Sequence, residues 1–263
     1  MRASRESHTM RIPIPRSFTD RHPYRFVVLL ESVVILVYLL AGTIAHFVSL
    51  STLGLSALAN LSLTVIVAFL LTRMGWWRAV GFRRPDRRSD LWYFVVPFVP
   101  AAINLIPGIN VGSLGFLLSM LAIALLVGFV EEGIFRGLML HVIEPHGRWK
   151  AAVITAVLFG LTHSLNVLTG KSVAEDAAQV CYAMAIGFAF AALVLRTGIL
   201  WPLVLAHALI DFVNYIENPD FVYPEGLQLA IVIGVTVLFA GYGLFVMRGV
   251  PRAHTGPERV FSA

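Results

Sequence analysis

Long uncharged runs alternate with short basic ones along this chain. A run of about 20 apolar residues can cross a membrane as a helix. Eight candidates stand out, at residues 26–48, 52–72, 91–108, 115–140, 150–166, 179–196, 199–216 and 227–248. The third carries Pro97, Pro100 and Pro107. Proline removes a backbone donor and kinks a helix, so this segment is expected to be bent or re-entrant. The fifth is short. The pattern predicts an all-α polytopic membrane protein of about eight transmembrane helices, with no internal repeat and no low-complexity segment.

Composition agrees. The chain is 58% hydrophobic and 13% charged, with a mean hydropathy of +0.80, whereas a soluble domain carries about 25% charged residues. The 263 residues are therefore spent on spans rather than on several soluble domains. Cys181 is the single cysteine, which rules out an internal disulfide and a thiolate metal cluster. The net charge of +5 raises nucleic acid as a partner. Its distribution argues against one, because the arginines lie between apolar runs. Residues 1–25 are polar and arginine-rich and lack the short apolar core of a signal peptide, so they read as a cytoplasmic basic tail. Residues 26–248 form the transmembrane domain and 249–263 a cytoplasmic C-terminal tail.

The basic residues orient the spans. Arg2, Arg5, Arg11, Arg16, Arg21 and Arg25 precede the first. Arg73, Arg78, Arg83, Arg84, Arg87 and Arg88 lie between the second and third. Arg148 and Lys150, then Arg196, then Arg248, Arg252 and Arg259 occupy the later gaps on the same side. Only Lys171 falls on the other side, and Arg136 lies inside the fourth span. The opposite loops carry Glu175, Asp176, Glu217, Asp220 and Glu225. This is a positive-inside pattern, with both termini expected in the cytoplasm. Gly75-Trp76-Trp77-Arg78 reads as an interfacial aromatic anchor. The basic loop from Arg73 to Arg88 serves topology first, and would suit anionic lipid headgroups or an acidic substrate tail.

Against this apolar background, three polar groups fall on three spans. The uncharged run Phe116 to Val130 leads directly into Glu131-Glu132, with Arg136 one turn on. The fifth span carries Phe159-Gly-Leu-Thr-His163 and the seventh His207-Ala-Leu-Ile-Asp211. An ionisable group at membrane depth costs roughly 2.5–3.5 kcal/mol on insertion scales, so its default reading is functional. Glu132 and Arg136 are four apart and share a helical face, so they can pair. Glu131 points about 100° away, toward a different neighbour. His207 and Asp211 also share a face, where Asp211 could orient the imidazole. At a rise of 1.5 Å per residue, His207, Glu131 and His163 lie about 12, 15 and 20 Å from the cytoplasmic ends of their spans, so the three can meet in a polar cavity near mid-bilayer.

Two chemistries fit these residues. A carboxylate and a histidine can activate water directly, with the second histidine and Asp211 stabilising an oxyanion. Alternatively, Glu131, His163 and His207 supply a two-histidine, one-carboxylate set for a divalent metal such as zinc, with Glu132 or Asp211 assisting.

Glu-Glu-x-x-x-Arg, Phe-x-x-x-His and His-x-x-x-Asn/Asp, in this order, resemble the motifs of the CPBP family. That family comprises the type II CAAX prenyl endopeptidases and the bacterial Abi proteins of bacteriocin processing and self-immunity. The segment Gly187 to His207 is also similar to the family's stretch before its last histidine. The resemblance covers about residues 115–215. It implies an intramembrane endopeptidase, of glutamate or metallo type, acting on a membrane-associated peptide or protein substrate, lipidated or not, from a cavity open to the cytoplasm. The expected location is the bacterial inner membrane. By the same resemblance, Glu131 and His163 would activate water, while His207 and the residue four later would form the oxyanion site. That residue is Asp211 here, where the eukaryotic-type enzymes have Asn. An ionised Asp would repel an oxyanion, so Asp211 must be protonated, paired with His207 or used differently. This departure points toward a bacterial-type relative.

The plainer reading of Glu131, Glu132 and Arg136 is an ion pair holding helices together, and a lone intramembrane histidine is more often a helix–helix contact. Glu31, His46, Asn60 and Asn104 fit such contacts or lie near span ends. Asn166 and Asn214 are close enough to the motifs to support them. Two other functions compete with the protease: a non-catalytic membrane partner or immunity factor with the same fold, and a proton-coupled transporter. The three intact motifs favour the enzyme over the former. The absence of a repeat disfavours the latter.

Overall fold

Backbone groups inside a bilayer have no water to bond, so these apolar runs must close their hydrogen bonds as helices. The computed structural model describes residues 17–164, 173–224 and 226–250. The tails' Arg2, Arg5, Arg11, Arg16, Arg252 and Arg259, together with Asn166, Lys171 and Glu225, fall outside the described residues, as does the side chain of Glu175. Among the described residues seven helices carry the fold: α1 Pro23–Phe47, α2 Thr52–Met74, α3 Leu114–Glu131, α4 Arg148–His163, α5 Val173–Thr197, α6 Trp201–Tyr215 and α7 Leu227–Arg248. No strand forms among them, only an isolated bridge between Ile109 and Glu217. The protein is an all-α, polytopic membrane protein.

Local chemistry sets the helix ends. Ser51 and Ser113 cap α2 and α3 by accepting from the amides of Gly54 and Phe116, each at 3.2 Å. Gly75 closes α2 in the left-handed region at φ 65°, where a Cβ would be strained. Pro202 sits in the first turn of α6, where no amide donor is missed.

Five helical stretches are long and apolar enough to cross a membrane: Pro23–Phe47, Thr52–Met74, Leu114–His146, Asp176–Thr197 and Leu227–Arg248. The expected eight is therefore not reproduced by this measure. Helices α4 and α6 have only 16 and 15 residues. The third expected span is not one helix. It breaks into 3-10 turns at Arg88–Phe94 and Val96–Phe98 and a five-residue α-helix at Val99–Ile103. Pro97 and Pro100 withhold the donors a continuous helix would need. Even so, its ends are tied to opposite faces of the bundle. The Tyr93 hydroxyl accepts from Arg196 near the end of α5 at 2.7 Å, and the Asn110 amide donates to the Ile216 carbonyl past the end of α6 at 2.6 Å.

One face gathers the start of α1, the ends of α2, α5 and α7, and the starts of α4 and α6. Ring contacts Tyr24–His146 and Trp76–His141 and the amide bond from Leu200 to the Gly81 carbonyl hold it together. Apart from Arg136, every described Lys and Arg lies on this face or in the loops that form it. The outer surface between the faces is apolar, with Leu36, Val65, Phe69, Leu118, Val237 and Phe245 all exposed as a lipid-facing wall would require.

Two packed groups make up the interior. Helix α3 lies against α2 and α6, while α5 lies between α4 and α7. They meet at the continuation of α3, where Glu132–Met139 forms a π-helix touching α1, α2, α4, α5 and α6. All eight of its residues are buried. The α3–α6 approach depends on Gly128, where a Cβ would stand 2.7 Å from the Val204 carbonyl oxygen and 3.0 Å from the Ala208 amide. Small residues let membrane helices approach this closely. Gly128→Val is expected to lower stability by roughly 1–3 kcal/mol, read as a fall in the thermal unfolding midpoint in detergent. Gly42→Ala, where nothing lies within 4 Å of the added carbon, should leave that midpoint unchanged. Equal midpoints for the two variants would contradict the close packing.

Candidate active site

The π-helix begins at the paired carboxylates. Single turns of π-helix occur often at functional sites. Here the turn brings Glu132 and Arg136 together at the centre of the five-helix junction. Arg136 Nη1 donates to Glu132 Oε1 at 3.0 Å, and neither side chain has any solvent exposure. This is the pairing expected from their spacing.

The guanidinium is held by more than its carboxylate. Its Cζ lies 4.0 Å from the centre of the Phe159 ring and 5.6 Å from that of Phe190, within cation–π range. Gly187 on α5 leaves the room: a Cβ there would stand 3.0 Å from Arg136 Nη2 and 3.2 Å from the Phe159 ring. The sequence contained both residues but gave no sign that they would clasp Arg136.

Glu132 Oε1 has a second partner, His207 Nδ1 on α6 at 2.8 Å. A carboxylate paired with Arg136 can only accept, so Nδ1 carries the proton in this bond. Glu132 therefore holds the imidazole through Nδ1, while Asp211, expected from its spacing to orient the ring, stands on the Nε2 side. Nε2 faces the other two acids, with Glu131 Oε2 at 3.5 Å and Asp211 Oδ2 at 3.7 Å. These separations are long for hydrogen bonds. They describe three groups facing a common point. Accessibility separates the two glutamates: the Glu131 side chain is 20% exposed and that of Glu132 not at all.

His163 ends α4 beside this cluster. Its Nδ1 lies 2.8 Å from the Phe159 carbonyl, which can only accept, so Nδ1 is again the donor and Nε2 is left as the basic nitrogen of the neutral ring. Phe159 stands next to both imidazoles, with ring centres 4.7 Å from His163 and 6.1 Å from His207. Glu131, Glu132, Arg136, His207 and Asp211 thus form one connected group, and His163 joins it through Phe159. Glu31 of α1 accepts from Thr162 at 2.6 Å, a helix–helix contact one residue from His163.

The zinc alternative fares differently. No group of three His, Cys, Asp or Glu side chains among the described residues is arranged to hold a metal ion. Both imidazoles of the set Glu131, His163 and His207 donate Nδ1–H, to Glu132 and to a backbone carbonyl, which leaves each Nε2 as the nitrogen that could ligate.

Residues 113–213 match the model of the family described as Rce1-like, type II CAAX prenyl endopeptidase. This segment is similar to that family. It runs from the cap of α3 through most of α6 and contains all six candidate residues, consistent with the CPBP resemblance. The match covers well under half of the 263 residues and leaves out α1, α2 and α7. Comparison with curated proteins and with solved structures returns no match. The family so described is one of endopeptidases, and the match places the six candidate residues within the segment similar to it.

Removing one partner of a buried ion pair leaves an uncompensated charge. Arg136→Met should therefore destabilise the folded protein by ~3–5 kcal/mol. The double variant Glu132→Gln/Arg136→Met should recover a large part of that loss. A denaturation series in detergent reads both values, and additive losses would contradict the direct pairing.

Proposed function

We propose that this protein is an endopeptidase that hydrolyses a peptide bond of a membrane-associated substrate, with water activated by its own carboxylate and histidines. The observation that carries this reading is the convergence of Glu131 and Asp211 on Nε2 of an imidazole whose other nitrogen is fixed by a buried ion pair. Glu131, the more accessible glutamate, acts as general base. It takes a proton from water as the water oxygen attacks the scissile carbonyl carbon. His163, with Nδ1 engaged, offers Nε2 to the same water. His207 in its imidazolium form has two donors. Nδ1–H is used by Glu132, and Nε2–H is left for the developing oxyanion. When the C–N bond breaks, protonated Glu131 returns its proton to the leaving amine. Glu132 and Arg136 position His207 and do not touch the substrate.

Asp211 lies on the oxyanion side of the imidazole. As a neutral acid it would donate to the oxyanion, as the Asn of related enzymes would. The Rce1-like match supports a substrate cut close to a C-terminus, lipidated or not. The arginine-rich face supports a cell-membrane location with that face toward the cytoplasm. A bacteriocin-processing or immunity role is the narrower biological setting in which such a protein would fit.

Fluorogenic peptides, prenylated and unprenylated, offered to the protein in proteoliposomes test the reading. Glu131→Gln and His207→Gln should each lower the cleavage rate by roughly 10²–10⁴-fold while leaving the thermal midpoint near wild type. Asp211→Asn should keep cleavage, and Asp211→Leu should lower it by about 10²-fold or more. Cleavage by wild type should persist in the presence of a chelator. Undiminished turnover by Glu131→Gln would remove the proposed base.

A further inference from the structure

The basic face contains a cavity that the hydrolytic site does not use. It measures about 730 Å³ and is lined by Arg78, Phe82, Arg83, Arg84, Asp86 and Trp201. Its frame is rigid. Arg83 holds Asp86 through two bonds of 3.1 and 3.0 Å and reaches across to donate to the Gly198 carbonyl at 2.9 Å. The Leu200 amide donates to the Gly81 carbonyl at 2.9 Å. Gly198 is required here, with φ at 66° and a Cβ that would meet Arg83 Nη2 at 2.6 Å. Asp86, the one acid in the lining, is thus neutralised by Arg83. Arg78 and Arg84 stand exposed at the rim with their charge uncompensated by it.

Two exposed guanidiniums lining one cleft match a phosphate in charge, and a guanidinium is the side chain best suited to bind it. The rest of the lining selects the source of that phosphate. Trp201 is 36% exposed, and Trp76, Trp77 and Trp149 lie on the same face of the bundle, which marks the level of the membrane–water interface. A soluble anion would have no use for Phe82 and Trp201 beside the arginines. A phospholipid would, because its acyl chains leave the headgroup on the apolar side. We propose that this cleft binds the headgroup of an anionic phospholipid, with Arg78 and Arg84 on the phosphate and Phe82 and Trp201 against the glycerol end of the chains. The bound lipid would brace the junction between the Gly81–Asp86 loop and the start of α6, the helix that carries His207.

Native mass spectrometry of the full-length protein in detergent, with phosphatidylglycerol and phosphatidylcholine at equal concentration, tests this directly. Wild type should retain phosphatidylglycerol preferentially. A basic residue in contact with the anionic headgroup contributes about fivefold in affinity, so Arg78→Gln/Arg84→Gln should lower phosphatidylglycerol retention by at least about tenfold. Arg73→Gln/Arg248→Gln removes two exposed arginines elsewhere on the same face and should leave retention within about twofold, because neither lines the cleft. Equal loss in the two variants would show diffuse charge attraction and overturn the site. Equal retention of the two lipids by wild type would overturn it as well. Soluble glycerol 1-phosphate, added to the unmutated protein, should fail to displace the lipid at matching concentration. Displacement would mean a site for free phosphate and overturn the lipid assignment.

Discussion

A carboxylate and a guanidinium taken fully out of water each lose several kcal/mol of hydration, and only close pairing repays it. Glu132 and Arg136 meet that condition at 3.0 Å, in a π-helical segment that touches five other helices. Everything at the site depends on this pair. It fixes Glu132 as an acceptor, and that acceptor sets the His207 ring by taking its Nδ1–H. The ring in turn presents Nε2 to Glu131 and Asp211. The aromatic faces of Phe159 and Phe190 and the missing side chain of Gly187 serve the same end, because together they make a slot that admits a flat cation and little else.

Much of this was legible in the sequence because membranes impose simple rules. Charge is excluded from apolar runs, so Glu131, Glu132, Arg136, His163, His207 and Asp211 stood out without any structure. The four-residue spacing of Glu132 and Arg136 anticipated their contact. The basic gaps anticipated a single arginine-rich face. The rest depended on tertiary geometry that no periodicity encodes. Nothing in the spacing of His207 and Asp211 shows that a glutamate from another helix orients the ring more closely. The π-helix is invisible to a 3.6-residue reading, although Gly133 and Gly137 mark a segment of low helical preference. The third span was flagged by its prolines, yet its path had to be read from the ties at Tyr93 and Asn110.

The two adjacent glutamates illustrate how one fold assigns different work to identical side chains. Glu132 is enclosed and spends its charge on Arg136 and His207. Glu131, one residue earlier and about 100° around the helix, keeps its carboxylate partly open and within reach of the same imidazole. In the proposed hydrolysis the first supplies orientation and the second supplies basicity. Helices α1 and α2 lie outside the segment that matches the Rce1-like family but still pack on the π-helix. They therefore support the site without belonging to the matched segment.

The central claim is that the buried pair sets the orientation and proton position of His207. ¹⁵N NMR of protein labelled at histidine, with the His207 signals assigned by their loss in His207→Gln, tests it most directly. The account predicts that Nδ1 of His207 is protonated and hydrogen-bonded, and that this signature disappears in Glu132→Gln/Arg136→Met. A bare Nδ1 in the wild-type protein, with the proton of a neutral ring on Nε2, would contradict it.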